Sequence, residues 1–403
     1  MLISVDEAIV ILNHHLGDFG TESIPLDQAW SRVIREDIHA DRTMPPYNRV
    51  TMDGIAILHR KYRDGQRQFA IESVAAAGDI QKQLKDESHC IEVMTGAMLP
   101  VGTDTVIRYE DLEINDGVAN ILQAVQEGQN IHFQGEDRQA GDLLVQSGTV
   151  FSPAEIGVSA STGKARVLVS RQPRILLIST GNELVEIDQV PLPHQIRKSN
   201  VYRISSTLES LRLHADIIHV NDDLAEIDRV LEKALSAYDI LLLSGGVSKG
   251  KFDFLPEALE ARGVIKHFHR IAQRPGKPFW FGSHPSGPTV FAFPGNPISS
   301  FLCTHAYFIP WIKKSMGFPE LKEPKAVLAE DVVFKPDLTY YLEITLEFGA
   351  DGRLLAFPRK GHGSGDLANL LRADAFIKLP RGQDFFEAGA VYPVIPFRNF
   401  IGC

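Results

Sequence analysis

The chain has 403 residues, of which 44% are apolar and 23% are charged. At roughly 150 residues per domain this length predicts two to four domains, and the composition is typical of a folded protein rather than a disordered or fibrous one. The 41 Lys and Arg residues against 51 Asp and Glu residues give a net charge of −10, which argues against broad binding to nucleic acid or to an anionic membrane.

The N-terminus and the cysteines indicate the compartment. Asp6 and Glu7 stand where a signal peptide carries basic residues, and no apolar run approaches the ~18 residues of a membrane-spanning helix. Cys90, Cys303 and Cys403 are far apart and form no CxxC pair, so neither a disulfide framework nor a thiolate zinc site is indicated. We expect a cytoplasmic protein in a reducing compartment, with no membrane contact.

In the first 172 residues, the sequence predicts two helices on either side of an inserted β lobe. Ser4 and Glu7 have the pattern of a capping box before helically spaced apolar residues, and residues 153–161 have helical spacing again. Between them, short β-like runs at 70–74, 105–108 and 119–122 alternate with Gly and Asp turns. We therefore predict a discontinuous helical linker domain, 1–44 with 140–172, and a β-rich inserted lobe at 45–139.

The rest of the chain predicts an α/β domain followed by a β domain. Continuous apolar runs at 175–179, 217–220, 240–244 and 290–293 are typical of parallel strands buried on both faces, and helical stretches at 202–212, 224–237, 256–261 and 298–314 supply the crossovers. Beyond Gly317, alternating runs at 340–347, 376–379 and 391–395 predict further strands. The fold class is multidomain α/β plus β, with a parallel α/β domain at 173–318 and a β-barrel-like domain at 319–403.

A glycine-rich turn follows the predicted strand 240–244. Residues 245–251 match the first seven positions of a Walker A loop, but Phe252 stands where that loop needs a hydroxyl for magnesium. Residues 246–250 also have the form G-x-S-x-G around Ser248, but its acid and His partners are unspecific single residues. The turn either presents backbone N–H groups to an oxyanion or serves connectivity alone.

Acidic residues follow three of the predicted strands. Glu183 comes after the first, Asp222 and Asp223 after the second, and Asp253 after the glycine turn. Because ligands in such sheets bind outside the strand carboxyl ends, these carboxylates are expected in one cleft, where Mg²⁺ takes one or two of them together with phosphate oxygens. The alternative for Asp223 and Asp253 is a helix N-cap.

Two further loops are candidates for anion binding. The segment 270–278 contains three cations, Arg270, Arg274 and Lys277, together with two prolines. Such cations suit the binding of a tetrahedral oxyanion. The alternative is a solvated charged surface. The turn Pro294-Gly295-Asn296-Pro297 precedes a predicted helix, where Asn296 either binds a ligand or caps.

Six segments, taken in this order, resemble the molybdopterin molybdenumtransferase family, which includes the C-terminal region of gephyrin. They are 45–47 with 51–54, 94–97 with 99–100, 179–183, 244–250 with Asp253, 274–278, and 294–297. The resemblance covers nearly the whole chain. It implies a homodimer of elongated four-domain subunits, a three-layer α/β domain that binds molybdopterin, and insertion of molybdate into adenylated molybdopterin with release of AMP. A molybdopterin adenylyltransferase would act upstream.

The resemblance also implies individual roles. The catalytic set would be Asp253, Glu183, Asp222, Asp223, Thr95, Asp53 and Asp137, of which Asp53, Thr95 and Asp137 come from the β lobe. Mg²⁺ would be held by Asp253, Glu183 and Asp222 or Asp223. Substrate and anion binding would fall to Gly245, Gly246, Ser248, Lys249, Arg270, Arg274, Lys277, Pro294, Asn296, Pro297 and Ser364.

Two departures from the family pattern stand out. Arg270 and Arg274 replace lysines, and Glu343 replaces a basic residue of the C-terminal domain. The alternative functions are the preceding adenylylation of molybdopterin, a non-catalytic gephyrin-like scaffold, and a serine hydrolase with Ser248 as nucleophile.

Overall fold

The computed structural model describes residues 2–246, 255–320, 322–361, 363 and 365–398. Four regions follow one another along the chain, and the parallel α/β region positions the candidate site. Within the described residues, no helix is both long enough and apolar enough to cross a bilayer.

The two segments that flank the β lobe pair with each other. Strand Thr21–Pro25 is antiparallel to Arg166–Ser170, and Ile38–His39 is antiparallel to Leu143–Val145. Helices Val5–His14 and Pro153–Ser161 both begin with a capping box, which confirms the two predicted helices. The first helix buries Val5, Ala8 and Leu12 in the core of the α/β region rather than against the paired strands.

The inserted lobe is a six-stranded sheet with a hydrophobic cluster on each face, which confirms the β-rich prediction. Its strands, in spatial order, are Thr105–Arg108, Gly54–Ile57, Cys90–Val93, Gln68–Ala75, Val118–Ile121 and Leu112–Asn115. Arg49–Val50 pairs with Ile131–His132 beside it. The short helices His59–Arg63 and Tyr109–Asp111 connect its strands.

The α/β region has a six-stranded sheet with a large hydrophobic cluster on each face, so the three-layer prediction is confirmed. The spatial order is Ala215–Val220, Ile175–Thr180, Ile240–Ser244, Thr289–Phe293, Trp280–Ser283 and Ile265–His269. The first four strands are parallel, as predicted, whereas Trp280–Ser283 is antiparallel to both of its neighbours, Thr289–Phe293 and Ile265–His269. Its helices are Asn200–Glu209, Leu224–Ala237, Leu255–Ala261, Pro297–Cys303 and Ile309–Ser315, with a π-helical turn at Thr304–Phe308.

The C-terminal region is a closed barrel around its own core, which confirms the barrel-like prediction. Five strands form a ring, because the first also pairs with the last: Thr339–Phe348, Leu354–Pro358, Lys325–Leu328, Val391–Pro396 and Ala375–Leu379. A short strand of the α/β region, Gln273–Arg274, adds to the barrel beside Thr339 and Tyr340. Val332–Val333 pairs with Phe385–Phe386, and Leu367–Arg372 is a 3₁₀ helix.

Candidate functional site

A cavity of about 500 Å³ lies at the carboxyl ends of the parallel strands. Ligands of open α/β sheets bind at this edge, because the loops after neighbouring strands converge there. Seven residues that the sequence placed in the site line the cavity: Glu183, Asp222, Gly245, Gly246, Pro294, Asn296 and Pro297. The expectation that three strand-end loops meet in one cleft is therefore correct for the described residues.

The glycine turn approaches the neighbouring loops closely. Gly245 has a φ of 102° and Gly246 a φ of 69°, backbone conformations that side chains disfavour. A Cβ on Gly245 would lie 3.0 Å from both the carbonyl oxygen and Oγ1 of Thr180. Gly245 N donates to Phe293 O at 3.1 Å, which fixes the turn to the adjacent strand. The glycines are needed for the path of the backbone at the cavity wall.

Two carboxylates, those of Glu183 and Asp222, also line the cavity. The loops that carry them are joined by a reciprocal pair of hydrogen bonds: Asn182 N donates to Asp222 Oδ2 at 3.3 Å, and Asp222 N donates to Asn182 Oδ1 at 3.0 Å. Within the described ranges, neither Glu183 nor Asp222 forms an ion pair. Both carboxylates therefore remain available to a cation in the cavity.

Asp223 has a local structural role. Its Oδ1 accepts from Glu226 N at 2.8 Å and caps helix Leu224–Ala237. The cavity is lined by Asp222 and not by Asp223. The structure thus separates the two neighbouring aspartates, with one at the cavity and one at the helix terminus.

Lys198 is a buried cation of the cavity wall that the sequence analysis missed. Its side chain is only 8% exposed, and its Nζ forms an ion pair with Glu186. Burial, followed by the positive charge of Lys198, lowers the pKa of His219, whose Nδ1 lies 2.9 Å from Ser179 Oγ. In sequence, Lys198 belongs to a short run without periodicity, so no pattern distinguished it from a solvated surface lysine.

The cations of segment 270–278 lie outside this cavity. Arg274 and Lys277 are exposed, and of this segment only Pro278 reaches the cavity lining. Arg270 has a φ of 92°, its N donates to Phe279 O, and its carbonyl accepts from Ile3 N. The segment instead joins the α/β region to the barrel through Gln273 and Arg274.

The three predicted β-lobe residues also lie away from the cavity of their own chain. Asp53 accepts a hydrogen bond from Thr95 N at 2.6 Å, and this bond holds the pKa of Asp53 below its usual range. Asp137 Oδ1 lies 3.0 Å from His132 Nε2, and His132 Nδ1 lies 2.9 Å from Arg49. None of the three lines the cavity.

Four predicted site residues lie outside the described residues: Ser248, Lys249, Asp253 and Ser364. Glu343, the acidic departure in the C-terminal region, is on barrel strand Thr339–Phe348 opposite Phe376. Burial, helped by the charge of Asp366, raises the pKa of Glu343.

The donor set of the cavity suits a phosphate-bound magnesium ion. Mg²⁺ binds one or two protein carboxylates and completes its shell with water and phosphate oxygens. Glu183 and Asp222 supply that number, and the buried hydroxyl of Thr180 at the same wall has no hydrogen-bond partner within the part of the chain that the structure describes. Among the described residues no group of three or more His, Cys, Asp or Glu side chains could hold a metal ion. These residues thus fit an ion shared with a phosphate better than a protein-only cage.

Family models match three successive parts of the chain. Residues 3–163 match the MoeA N-terminal region (domain I and II), residues 176–314 match a probable molybdopterin binding domain, and residues 325–397 match the MoeA C-terminal region (domain IV). Together these matches cover all four regions of the fold.

Full-length relatives agree with this assignment. The chain is 39% identical to a molybdopterin molybdenumtransferase of Synechocystis, over 97% of this chain and 99% of the relative. It is 30% identical to one of Staphylococcus epidermidis, over 98% and 95%. Two crystal structures of molybdopterin biosynthesis MoeA proteins from Pyrococcus horikoshii superimpose with TM-scores of 0.84 and 0.81, at 26% identity and over at least 98% of this chain and all of theirs.

Proposed function

This chain belongs to the MoeA family and is a molybdopterin molybdenumtransferase, and on that premise we propose that the cavity of the α/β region binds adenylated molybdopterin while molybdate is inserted and AMP is released. The proposal rests on one observation: a glycine turn and two carboxylates line the same cavity at the carboxyl ends of the parallel strands. Such a turn suits phosphate oxygens, and the carboxylates suit the metal ion that accompanies them.

The residues of the cavity have separate tasks in this proposal. The Gly245 N–H is bonded to Phe293 O and fixes the turn, so the backbone N–H of Gly246 is left to bind a phosphate oxygen of the substrate, and Lys198 adds a positive charge at the wall. Glu183 and Asp222, joined by Asp253, hold Mg²⁺. When bound, Mg²⁺ neutralises charge on the pyrophosphate that links AMP to molybdopterin. Positioning and charge stabilisation supply most of the rate, and no protein nucleophile is needed.

We propose that the active form is a homodimer. Asp53, Thr95 and Asp137 match the family by position but lie outside the cavity of their own chain. A second copy of the chain brings these β-lobe residues to the cavity. Arg270, Arg274 and Lys277, close to the barrel, would then hold molybdate at the outer part of the same site.

The cellular setting follows from the substrates and the cysteines. Adenylated molybdopterin must be supplied by a molybdopterin adenylyltransferase that acts upstream. The two described cysteines, Cys90 and Cys303, are buried and free, which favours a reducing compartment. We therefore place the enzyme in the cytoplasm, with no nucleic acid or membrane as a partner.

Substitution of the two cavity carboxylates tests the site. We expect Glu183→Gln and Asp222→Asn each to lower the rate of Mg²⁺-dependent AMP release by at least about tenfold, since each removes a charge that faces the metal. The matched control is Asp228→Asn, which removes a carboxylate of helix Leu224–Ala237 that pairs with Arg262 outside the cavity. Wild-type rates in both cavity variants, at every Mg²⁺ concentration, would show that the site is elsewhere.

A further inference from the structure

The side-chain amide of Asn200 joins two of the turns that line the cavity. Asn200 Nδ2 donates to Ser244 Oγ at 3.1 Å and to Gly295 O at 2.8 Å. Ser244 ends the strand before the glycine turn, and Gly295 belongs to the turn after the next parallel strand. All three residues line the cavity. Asn200 therefore holds two separate loops at a fixed distance beside the ligand space.

Arg203 fixes the orientation of that amide. Its Nη2 donates to Asn200 Oδ1 at 2.7 Å and to Ser300 Oγ at 3.0 Å. Because the guanidinium occupies the amide oxygen, the amide nitrogen must face Ser244 and Gly295. Ser300 lies on helix Pro297–Cys303, which begins directly after the second turn. One cation thus connects the helix that carries Asn200 with the helix that follows Gly295.

Packing alone does not account for this arginine. Among the described residues, its buried Nε and Nη1 have no hydrogen-bond partner, and no carboxylate pairs with it. Burial lowers the pKa of Arg203 to about 10. A buried cation that lacks a carboxylate is costly, and an apolar side chain would pack beside Phe301 without that cost. The buried position of Arg203 is therefore explained best by its Nη2, which orients the side-chain amide of Asn200.

We propose that Arg203 is a positioning residue of the cleft, which acts through Asn200 to hold the 244–246 turn against the 294–297 turn before substrate binds. The backbone N–H of Gly246 is then already in place for a phosphate oxygen, so binding does not have to order the turn. The role in substrate binding rests on the proposed function, whereas the coupling of the two turns does not.

Hydrogen exchange tests the coupling without any assay of activity. In Arg203→Met, the amides of residues 244–246 and those of Gly295 and Asn296 should exchange roughly tenfold faster, as expected for loss of a charge-assisted hydrogen bond. The amides of the central strand at 240–243 should be unchanged. The control Arg262→Met removes an arginine of the same region that pairs with Asp228 and should change neither turn. Unchanged exchange at both turns of Arg203→Met would overturn the proposal.

A double substitution distinguishes positioning from general loss of stability. If Arg203 acts through Asn200, then Asn200→Ala reproduces the faster exchange, and the double variant is no faster than either single variant. Additive effects would overturn the proposal. Should Arg203→Met fail to fold, Asn200→Ala decides alone: faster exchange at both turns supports the coupling, and unchanged exchange contradicts it.

Turnover then tests the link to the proposed function. The KM for adenylated molybdopterin should rise about tenfold in Arg203→Met and in Asn200→Ala, with kcat changed little, since the loss is in preparation of the binding turn. An unchanged KM in variants with faster exchange would remove the role in substrate binding. If wild-type enzyme released no AMP at all, the proposed function would fail while the exchange result still decided the coupling.

Discussion

Lys198 shows at the scale of a residue how the cavity combines opposite charges. Its ammonium is buried beside Glu186, while Glu183 and Asp222 stand in the same wall. A substrate that carries phosphates together with Mg²⁺ needs both signs of charge, since the anion and the cation are each held by a counter-charge.

Removal of this lysine has two expected effects. Its charge contributes to the lowered pKa of His219, so Lys198→Met should raise that pKa, as measured by NMR titration of the imidazole. The KM for adenylated molybdopterin should rise by about tenfold, as for loss of one charge-assisted contact. Lys266→Met, which removes an ion pair with Glu260 away from the cavity, is the matched control. An unchanged His219 titration would contradict the electrostatic account.

At the scale of an element, the two turns of the cavity wall differ in their need for glycine. A Cβ on Gly245 meets the backbone of Thr180 at 3.0 Å and requires a φ of 102°, whereas a Cβ on Gly295 meets only Gly245 Cα at an ordinary 3.7 Å. We expect Gly245→Ala to lower the free energy of unfolding by about 1–3 kcal/mol. Gly295→Ala should leave it unchanged. Urea unfolding measures both, and equal stability of the two variants would refute the assignment.

The helical segment after the second turn carries a pH-dependent group. Burial, with smaller effects from Arg203 and Lys313, lowers the pKa of His305 to about 4, and its Nε2 has no hydrogen-bond partner in the described ranges. The unfolded state binds a proton near pH 6.5 that the folded state does not accept until about pH 4. The contribution of neutral His305 to the free energy of unfolding is thus complete above pH 6.5, and it is lost as the pH falls towards 4.

The difference in the pKa of His305 between the folded and unfolded states makes the free energy of unfolding depend on pH. Between pH 7 and pH 5 the free energy of unfolding should fall by roughly 1–2 kcal/mol on account of His305, with allowance for its partial contact with solvent. His305→Phe should remove that part of the slope in urea unfolding experiments at the two pH values. A variant with the same pH dependence as wild type would show that His305 is protonated equally in both states.

Helices and strands with a distinctive pattern in their own residues could be predicted from the sequence. Strands whose position depends on pairing with a segment far away in the sequence could not. The three inner parallel strands, Ile175–Thr180, Ile240–Ser244 and Thr289–Phe293, are apolar runs because both of their faces are buried, whereas the edge strand Ala215–Val220 exposes Asp216 and Ile217. The pairing of Thr21–Pro25 with Arg166–Ser170 joins segments that the inserted lobe separates, and neither has a distinctive pattern. Strand Ile265–His269 is not among the predicted strands, because the run IKHFH at the sheet edge is mostly polar and only partly buried and lacks the apolar signal of the inner strands.

The same distinction applies to the site. Glu183, Asp222 and the glycine turn directly follow predicted strands, and parallel topology then brings them together. Lys198 follows the two-residue strand Ile196–Arg197, and Asn200 begins the next helix. Nothing in the sequence there indicates proximity to the cavity. Their roles depend on contacts with Glu186, Ser244 and Gly295 that only the folded chain provides.

At the scale of the whole molecule, the proposed homodimer predicts complementation. If the β lobe of one copy completes the cavity of the other, Asp53→Asn and Glu183→Gln impair different halves of one composite site. Dimers that carry one of each chain then contain one intact site. Co-expression with two affinity tags should give mixed dimers that release AMP, although each parent dimer is impaired. Mixed dimers as inactive as both parents, or a monomer in sedimentation experiments, would contradict this arrangement.

If the cleft couples AMP release to molybdate insertion, AMP release must depend on molybdate. Purified protein would be given adenylated molybdopterin and Mg²⁺ under anaerobic conditions, with and without molybdate, and the AMP released would be measured. We expect release that depends on molybdate and is lost in Glu183→Gln. Release that ignores molybdate, or no release from a folded dimer under either condition, would contradict this coupling.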